Sequence, residues 1–266
     1  MGIEVVKSNP DTKPSLLNIY TPEVIILPNP ADVDVYSGRL INRQIYNKPD
    51  SKLTLATGSS PIGAYQEMIK AYKAGLDMGK LLTTNLDQYC NISKNHPLSY
   101  ERFMNENLFD FVNIPPDRRF IPNSEAPDPD IEAARYEQIL TETGQADLVI
   151  LGIGPKLTGH IAFNGPGSSI DSRTRVICLD EDTIEANSRF CCDDKNQVPC
   201  LAISQGIANI LEGRKIILIA KGAGKAEGIR SALEGPIGTH MPASLLRYHP
   251  DTTFILDSEA ASLLGK

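Results

Sequence analysis

Short apolar runs alternate with longer amphipathic stretches along almost the whole chain. The apolar runs predict eight β-strands, at residues 24–27, 53–57, 81–86, 148–151, 174–179, 198–203, 215–220 and 252–256. Stretches with apolar positions at helical spacing predict helices at residues 32–47, 62–73, 131–143, 181–188, 207–211, 222–233 and 242–248, and one more that begins near residue 95. This alternation predicts an α/β fold, a single doubly wound open sandwich around a mainly parallel sheet.

The chain divides into two unequal parts. Residues 1–22 show no clear period and carry prolines, which predicts a loose N-terminal arm. Residues 23–266 hold all the predicted strands and helices, and no repeat, low-complexity tract or linker interrupts them. We therefore expect one α/β domain over residues 23–266, long enough to bury a substantial core.

The stretch at residues 147–169 is the first candidate for chemistry. It opens with the apolar run 148–151, typical of a strand buried on both faces, and continues into a loop rich in Gly, Pro and Ser with His160 inside it. Ligands of open α/β sheets bind outside the carboxyl ends of the strands, so His160 is a candidate proton carrier. A second interpretation stays open, in which His160 is an incidental residue of a turn-rich loop.

Polar residues follow other predicted strands as well. Residues 58–60, Gly-Ser-Ser, lie between a strand and a helix, where they would form either an anion site or a simple capped turn, with Ser59 or Ser60 as the N-cap. Asp87 follows the strand at 81–86 and is either a base or the cap of the next turn. Lys225 falls in the first turn of the helix at 222–233, where it either faces an anion or is solvated.

Composition narrows the choice of partners. The 266 residues carry a net charge of −7 and have a pI of about 5.2, which argues against a nucleic-acid partner or an anionic membrane. No apolar stretch is long enough to span a bilayer. The five cysteines are odd in number and contain no Cys-x-x-Cys pair, so we expect reduced thiols in a cytoplasmic protein and no zinc site.

Several common motifs are incomplete. The glycine-rich stretch 152–157 ends in Leu157, and the stretch 222–227 ends in Glu227, where a dinucleotide-binding loop needs its third glycine. The chain also lacks a P-loop and the Gly-x-Ser-x-Gly turn of many serine hydrolases. These absences argue against a nucleotide cofactor and against a serine hydrolase.

A series of segments resembles one enzyme family. They are residues 56–61 (Ala-Thr-Gly-Ser-Ser-Pro), 85–89 (Asn-Leu-Asp-Gln-Tyr), 95–100, 159–164 (Gly-His-Ile-Ala-Phe-Asn), 172–175, 186–190, 196–199 and the segment around Lys225. In their order and number they resemble the glucosamine-6-phosphate deaminase/isomerase family, over nearly the whole chain after the first twenty or so residues. The resemblance implies an open α/β sandwich and a reaction that opens the aminosugar ring, moves a proton from C2 to C1 and releases ammonia, leaving fructose 6-phosphate.

The resemblance also implies a role for individual residues. Asp87 would be the base at C2, and His160 would shuttle the proton during ring opening. The residues implied in binding the phosphorylated aminosugar are Thr57, Gly58, Ser59, Ser60, Arg189 and Lys225. Ser168 and Arg175 match part of an allosteric site, although Ile177 stands where the family has a lysine. The family implies no metal, no organic cofactor and a homo-oligomer, often a hexamer.

Three positions depart from the family pattern. Thr158 and Gly165 stand where the resemblance expects an Asp and a Glu beside the histidine, and Gln88 replaces the Glu after the base. Five residues, rather than three, separate Gly154 from His160. The ring-opening group thus retains only its histidine, which predicts a weakened deaminase.

Two alternatives remain beside a working deaminase. One is a sugar-phosphate-binding homologue that has lost catalysis. The other is a 6-phosphogluconolactonase-like enzyme, since that class shares the fold and the Gly-His loop, although segments 85–89 and 186–189 favour the deaminase.

Overall fold

A computed structural model of the chain describes residues 18–154, 158–179 and 199–265. Within these ranges the strands are β1 Glu23–Leu27, β2 Lys52–Leu55, β3 Leu82–Asn85, β4 Asp87–Tyr89, β5 Arg119–Phe120, β6 Leu148–Leu151, β7 Arg175–Cys178, β8 Leu201–Ser204, β9 Ile216–Ala220 and β10 Thr252–Asp257. The α-helices are α1 Pro30–Asn47, α2 Ile62–Lys73, α3 Tyr100–Asn107, α4 Pro129–Glu142, α5 Ile207–Leu211 and α6 Ala226–Glu234. Short 3-10 helices occupy Phe109–Phe111, Pro116–Arg118, Ala223–Lys225 and Pro242–Tyr248.

Seven strands form a parallel sheet in the order β1-β10-β9-β6-β2-β3-β5. Alternate residues of the central strands enter two separate cores. Leu151 and Leu218 pack in the core that α5 and α6 cover, whereas Ile150 and Ile217 pack in the core that α1 and α2 cover. A sheet buried on both faces explains why its strands read as apolar runs, and the predicted doubly wound α/β fold is confirmed.

A second sheet, which the sequence pattern did not predict, is antiparallel and contains β4, β8 and β7 in that order. The chain leaves the main sheet at Leu86, whose N–H still bonds to Leu55, and Asp87 then pairs with Ser204 on β8. The predicted strand at 81–86 is therefore followed at once by another short strand. This crossover places Asp87 at the junction of the two sheets.

One helix cap and one helix start that border the site differ from the predictions. Helix α2 has no side-chain N-cap bond, so the expectation that Ser59 or Ser60 caps it is wrong. Helix α3 begins at Tyr100 with Ser99 as N-cap, because the chain turns through His96, whose Nδ1 accepts from the N–H of Leu98.

Other predictions concern residues outside the described ranges. The helix at 181–188 and Arg189 lie there, as do residues 1–17 of the predicted arm, so the boundary at residue 22 stays a prediction. The three described cysteines, Cys90, Cys178 and Cys200, form no disulfide. Among the described helices none is long and apolar enough to cross a membrane.

Candidate active site

The candidate residues meet at the carboxyl edge of the parallel sheet. Strands β2, β6 and β9 are parallel, and the loops that follow them hold residues 56–61, 152–160 and 221–225. Because parallel strands end at the same edge, Ser60 and Lys225, which are 165 positions apart in sequence, come to the same edge of the sheet.

Two residues expected to bind phosphate, one earlier and one later in the sequence than β6, lie beside the loop that follows β6. A methyl group built on Gly152 would lie 3.5 Å from Ser60 Oγ, so the Ser60 side chain borders this loop. From the loop after β9, Lys225 donates from Nζ to the carbonyl of Ile153 at 2.6 Å. A hydroxyl and an ammonium group are thus placed beside adjacent residues, an arrangement suited to an anion.

Glycine turns fix the loops that carry these two groups. Gly58 has φ +93° and Gly222 has φ +85°, backbone angles that other residues adopt only with strain. The N–H of Gly222 donates to both carboxylate oxygens of Asp257, at 2.9 and 3.0 Å. Since Asp257 ends β10, this bond ties the Lys225 loop to the sheet.

Asp87 is buried, with 6% of its surface exposed. Burial raises the pKa of its carboxyl group from 3.8 to about 7, since few polar groups compensate for lost hydration. Its Oδ1 atom has no hydrogen-bond partner among the described residues. A carboxylate with this pKa is suited to take up a proton near neutral pH.

An aromatic cluster, formed by Tyr89, Tyr100 and Phe163, joins the base to the histidine loop. The ring centroids of Tyr89 lie 5.2 Å from those of both Tyr100 and Phe163. Tyr89 is two residues after Asp87 and Phe163 is three residues after His160, so the cluster links the strand that carries the base to the histidine loop. The spacing of apolar residues predicts Tyr100 on the inner face of a helix but does not predict its contact with Tyr89. The only hint in the sequence is that an aromatic residue, Tyr89, lies close to the candidate base.

Tyr100 also reaches the predicted substrate-binding loop. Its side chain is hydrogen-bonded to that of Thr57, and burial together with the nearby Asp87 carboxylate raises the pKa of its phenol well above 10. The phenol therefore stays protonated at neutral pH. It can donate a hydrogen bond inside the site but does not compete with Asp87 as a base.

Gln88 has a clear structural role beside Asp87. Its Oε1 accepts from the N–H groups of Tyr89 and Tyr100, at 2.9 and 3.1 Å. Gln88 therefore ties β4 to the first turn of α3. A glutamine supplies this acceptor without placing a second negative charge next to the buried base.

The histidine loop holds His160 closely. The carbonyl of His160 accepts from Gly154 N–H at 2.9 Å, and a methyl group on Gly154 would lie only 2.3 Å from the imidazole ring. Asn164 Nδ2 donates to the carbonyls of Ile161 and Gln205, which anchors the loop beyond the ring. Residues 155–157 of this loop lie outside the described ranges.

His160 has a hydroxyl neighbour at the position where the resemblance leads us to expect an acid. Thr158 Oγ1 lies 3.2 Å from His160 Nδ1. A Cβ atom built on Gly165 meets no atom of the described residues within 4 Å, so none of them fills the space of the second expected acid. His160 and Gly165 both line a cleft of about 260 Å³ whose other walls include Phe163 and Ile177.

The structure also brings together Ser168 and Arg175, the two residues that the resemblance matches to part of an allosteric site. Arg175 Nη2 donates to Ser168 Oγ at 3.3 Å, and Nη1 donates to Asn164 Oδ1 at 3.0 Å. Ser168 and Ile177 line the same cleft as His160. This pair therefore borders the histidine loop and contacts its anchoring residue.

The described residues contain no group of three or more His, Cys, Asp or Glu side chains that could hold a metal ion. The site contains an ammonium group, hydroxyl groups, a buried carboxyl group and an imidazole. Together they can bind an anion and move protons.

Known proteins match both the sequence and the fold. The family model for glucosamine-6-phosphate isomerases and 6-phosphogluconolactonases matches residues 34–255. A glucosamine-6-phosphate deaminase of Halothermothrix orenii is 46% identical over 242 residues, which cover 91% of this chain and 99% of that protein. Glucosamine-6-phosphate deaminase 2 of Bacillus subtilis is 46% identical over 230 residues, 86% of this chain and 92% of that protein.

Solved structures agree with this assignment. A monomeric glucosamine-6-phosphate deaminase is 40% identical, with a TM-score of 0.87 over 91% of this chain and 99% of its own. A 6-phosphogluconolactonase from Trypanosoma cruzi has a TM-score of 0.76 over 94% of this chain and 99% of its own, but only 19% identity, which reflects a shared fold. On its sequence, its fold and the order of its site segments, the chain belongs to the glucosamine-6-phosphate deaminase/isomerase family.

Proposed function

We propose that this protein converts glucosamine 6-phosphate and water into fructose 6-phosphate and ammonia. The observation that carries the proposal is a buried Asp87, with a pKa of about 7, at the sheet edge where Ser60 and Lys225 border one loop. The relatives at 42–46% identity are glucosamine-6-phosphate deaminases, which supports the same reaction.

Substrate binding in this proposal begins with the phosphate. The Lys225 ammonium group and the Ser60 hydroxyl contact phosphate oxygens, with Thr57, Gly58 and Ser59 in the same loop. The 6-phosphate is fixed at one end, which places C1 and C2 of the sugar toward the aromatic cluster and Asp87. Arg189, outside the described residues, stays a predicted contact.

The chemistry then needs several proton transfers. His160 moves a proton from the anomeric hydroxyl to the ring oxygen, the C1–O5 bond breaks, and the open-chain aldehyde forms. Asp87 removes the C2 proton as O1 takes up a proton, which gives an enolamine. Asp87 then returns its proton at C1 and the amino group gives up one proton, which leaves a hydroxyl at C1 and an imine at C2. Water adds to this imine and ammonia departs, so atoms and charge balance over the cycle.

A second proposal concerns the rate of the reaction. Thr158 and Gly165 carry no charge, so ring opening proceeds with less electrostatic help than a carboxylate would give, and we infer that it limits turnover. Gly165→Glu tests this inference because a side chain has room there. We expect kcat to rise in Gly165→Glu and not in Gly165→Gln; equal values in the two variants would contradict it.

Release of ammonia and fructose 6-phosphate by purified protein tests the main proposal. Asp87→Asn is the inactive control, and no turnover above that control would refute the proposal. Lys225→Met should raise KM by about tenfold or more, because it removes a charge from the phosphate. Lys221→Met is the matched control, since Lys221 Nζ pairs with Asp34 at 2.5 Å, and its KM should stay near the wild-type value.

Two alternatives predict other results of the same experiments. A binding homologue, favoured by the neutral residues beside His160, would be stabilised by glucosamine 6-phosphate against heat without forming product. A lactonase would hydrolyse 6-phosphogluconolactone. The deaminase proposal predicts negligible hydrolysis of that lactone.

Location and assembly are separate proposals. The family is one of metabolic enzymes, which supports a cytoplasmic location. The resemblance predicts a homo-oligomer, a hexamer as in many family members, whereas one structural relative is described as monomeric. Light scattering on the purified protein at several concentrations would give the number of subunits.

A further inference from the structure

The contact between Thr158 and His160 depends on an unusual turn. Gly159, between them, has φ +53°, and a Cβ atom built there would lie 1.9 Å from the sulfur of Met241. A glycine is therefore required on both conformational and steric grounds. The turn allows the side chains of residues i and i+2 to meet, with Thr158 Oγ1 3.2 Å from His160 Nδ1.

The imidazole is also confined on another side. Gly154 passes so close to the ring that a single added methyl group would overlap it. Main-chain bonds on both sides of the turn hold the loop in place: His160 O accepts from Gly154 N–H, and Gly159 O accepts from Ala243 N–H. The Thr158–His160 bond therefore forms within a fixed frame, and a rotating hydroxyl is the adjustable part of it.

We propose that Thr158 is a positioning residue, whose hydroxyl accepts a hydrogen bond from His160 Nδ1–H and so fixes the ring tautomer and orientation for ring opening. This inference rests on the proposed function. In this tautomer the Nε2 atom carries the lone pair that takes the proton of the anomeric hydroxyl and passes it to the ring oxygen. The C1–O5 bond breaks as the C1 carbonyl forms, and His160 ends in the tautomer in which it began.

A hydroxyl and a carboxylate orient a histidine with different electrical consequences. Both accept from Nδ1–H, but only a carboxylate adds a negative charge that stabilises the protonated ring. Thr158 thus supplies geometry without charge. A threonine at this position, in place of the expected Asp, retains the contact that orients the ring and changes the pH range in which the ring exchanges protons.

Kinetics of three Thr158 variants test the proposal. Thr158→Val keeps the shape and removes the hydroxyl, so kcat should fall about 10- to 100-fold with KM within about twofold of wild type. Thr158→Ser should restore most of the lost kcat. Thr158→Asp should move the limb of the kcat profile that reports the imidazole to higher pH. Equal kcat for wild type and Thr158→Val, or for the Val and Ser variants, would overturn it.

A measurement that needs no turnover separates this inference from the proposed function. Protein labelled with ¹⁵N-histidine contains four histidines, and a His160→Asn variant identifies the signals of His160. The ¹⁵N shifts should show the Nδ1–H tautomer in wild type and Thr158→Ser, and a changed tautomer ratio in Thr158→Val. The same ratio in all three proteins would overturn the inference. If the tautomer ratio changes in Thr158→Val but the wild-type protein releases no ammonia, only the proposed function is refuted.

Discussion

Replacing Asp87 with Asn should stabilise the protein in a pH-dependent way while it abolishes turnover. Burial raises the pKa of Asp87 from 3.8 to about 7, so between these values the folded state binds more protons than the unfolded state. Stability from this group is therefore complete below pH 3.8 and is lost as pH rises toward 7. At 1.36 kcal/mol per pKa unit, the raised pKa lowers the free energy of unfolding, relative to its value at low pH, by about 4 kcal/mol at pH 8 and by about 2 kcal/mol at pH 5.

Asparagine has nearly the same shape and no charge, so it removes this cost. Its buried NH₂ group adds a penalty of roughly 1–3 kcal/mol, but that penalty is the same at both pH values. The advantage of Asp87→Asn over wild type should therefore grow by roughly 2–3 kcal/mol between pH 5 and pH 8.

Urea denaturation at four pH values between 5 and 8 measures this growth directly. Asp50→Asn, which changes an exposed carboxylate, is the matched control and should show a difference that varies by less than about 0.5 kcal/mol over the same range. If the difference between Asp87→Asn and wild type is equally flat, Asp87 is not the buried base described above.

Further predictions concern charge, space and a buried lysine. Gln88→Glu keeps the acceptor for two N–H groups and adds a negative charge beside Asp87, so the acid limb of the kcat/KM profile should move to higher pH. Gly154→Ala should lower kcat by about tenfold or more by displacing the imidazole, whereas Gly165→Ala, with open space, should keep wild-type kcat. Burial lowers the pKa of Lys52 to about 8. The unfolded state therefore binds more protons between pH 8 and 10, and the free energy of unfolding of the wild-type protein should rise by roughly 1 kcal/mol per pH unit over this range. Lys52→Met should remove this rise.

The main sheet could be predicted from the sequence because its central strands are buried on both faces. Residues 148–151 were predicted as a strand with the bounds that the structure has, since burial on both faces leaves only apolar residues. The small antiparallel sheet could not be predicted in this way. Its strand β4 has only three residues, Asp-Gln-Tyr, and its pairing with β8 joins residues more than 110 positions apart.

The site was predictable where chemistry follows a strand end, and not where it depends on contacts across the fold. Ser60, Asp87 and Lys225 each follow a strand, so position alone marked them as candidates. The N-cap role of Ser60 was wrong because the structure gives α2 no side-chain cap. The role of Gln88 needed the N–H of Tyr100, twelve residues away, which no local pattern contains.

Gln88 has an electrostatic consequence for Asp87. Asp87 already has a pKa near 7 from burial alone, and a carboxylate at the neighbouring position would raise it further and reduce the ionised fraction at neutral pH. Gln88 accepts the hydrogen bonds that an acid there could accept, at 2.9 and 3.1 Å, without adding that charge. Gln88 therefore preserves the orienting contacts and favours an ionised base. We expect Gln88→Glu to slow proton transfer at C2 at neutral pH and Gly165→Glu to speed ring opening, so kinetic study of the two steps should find them changed in opposite directions.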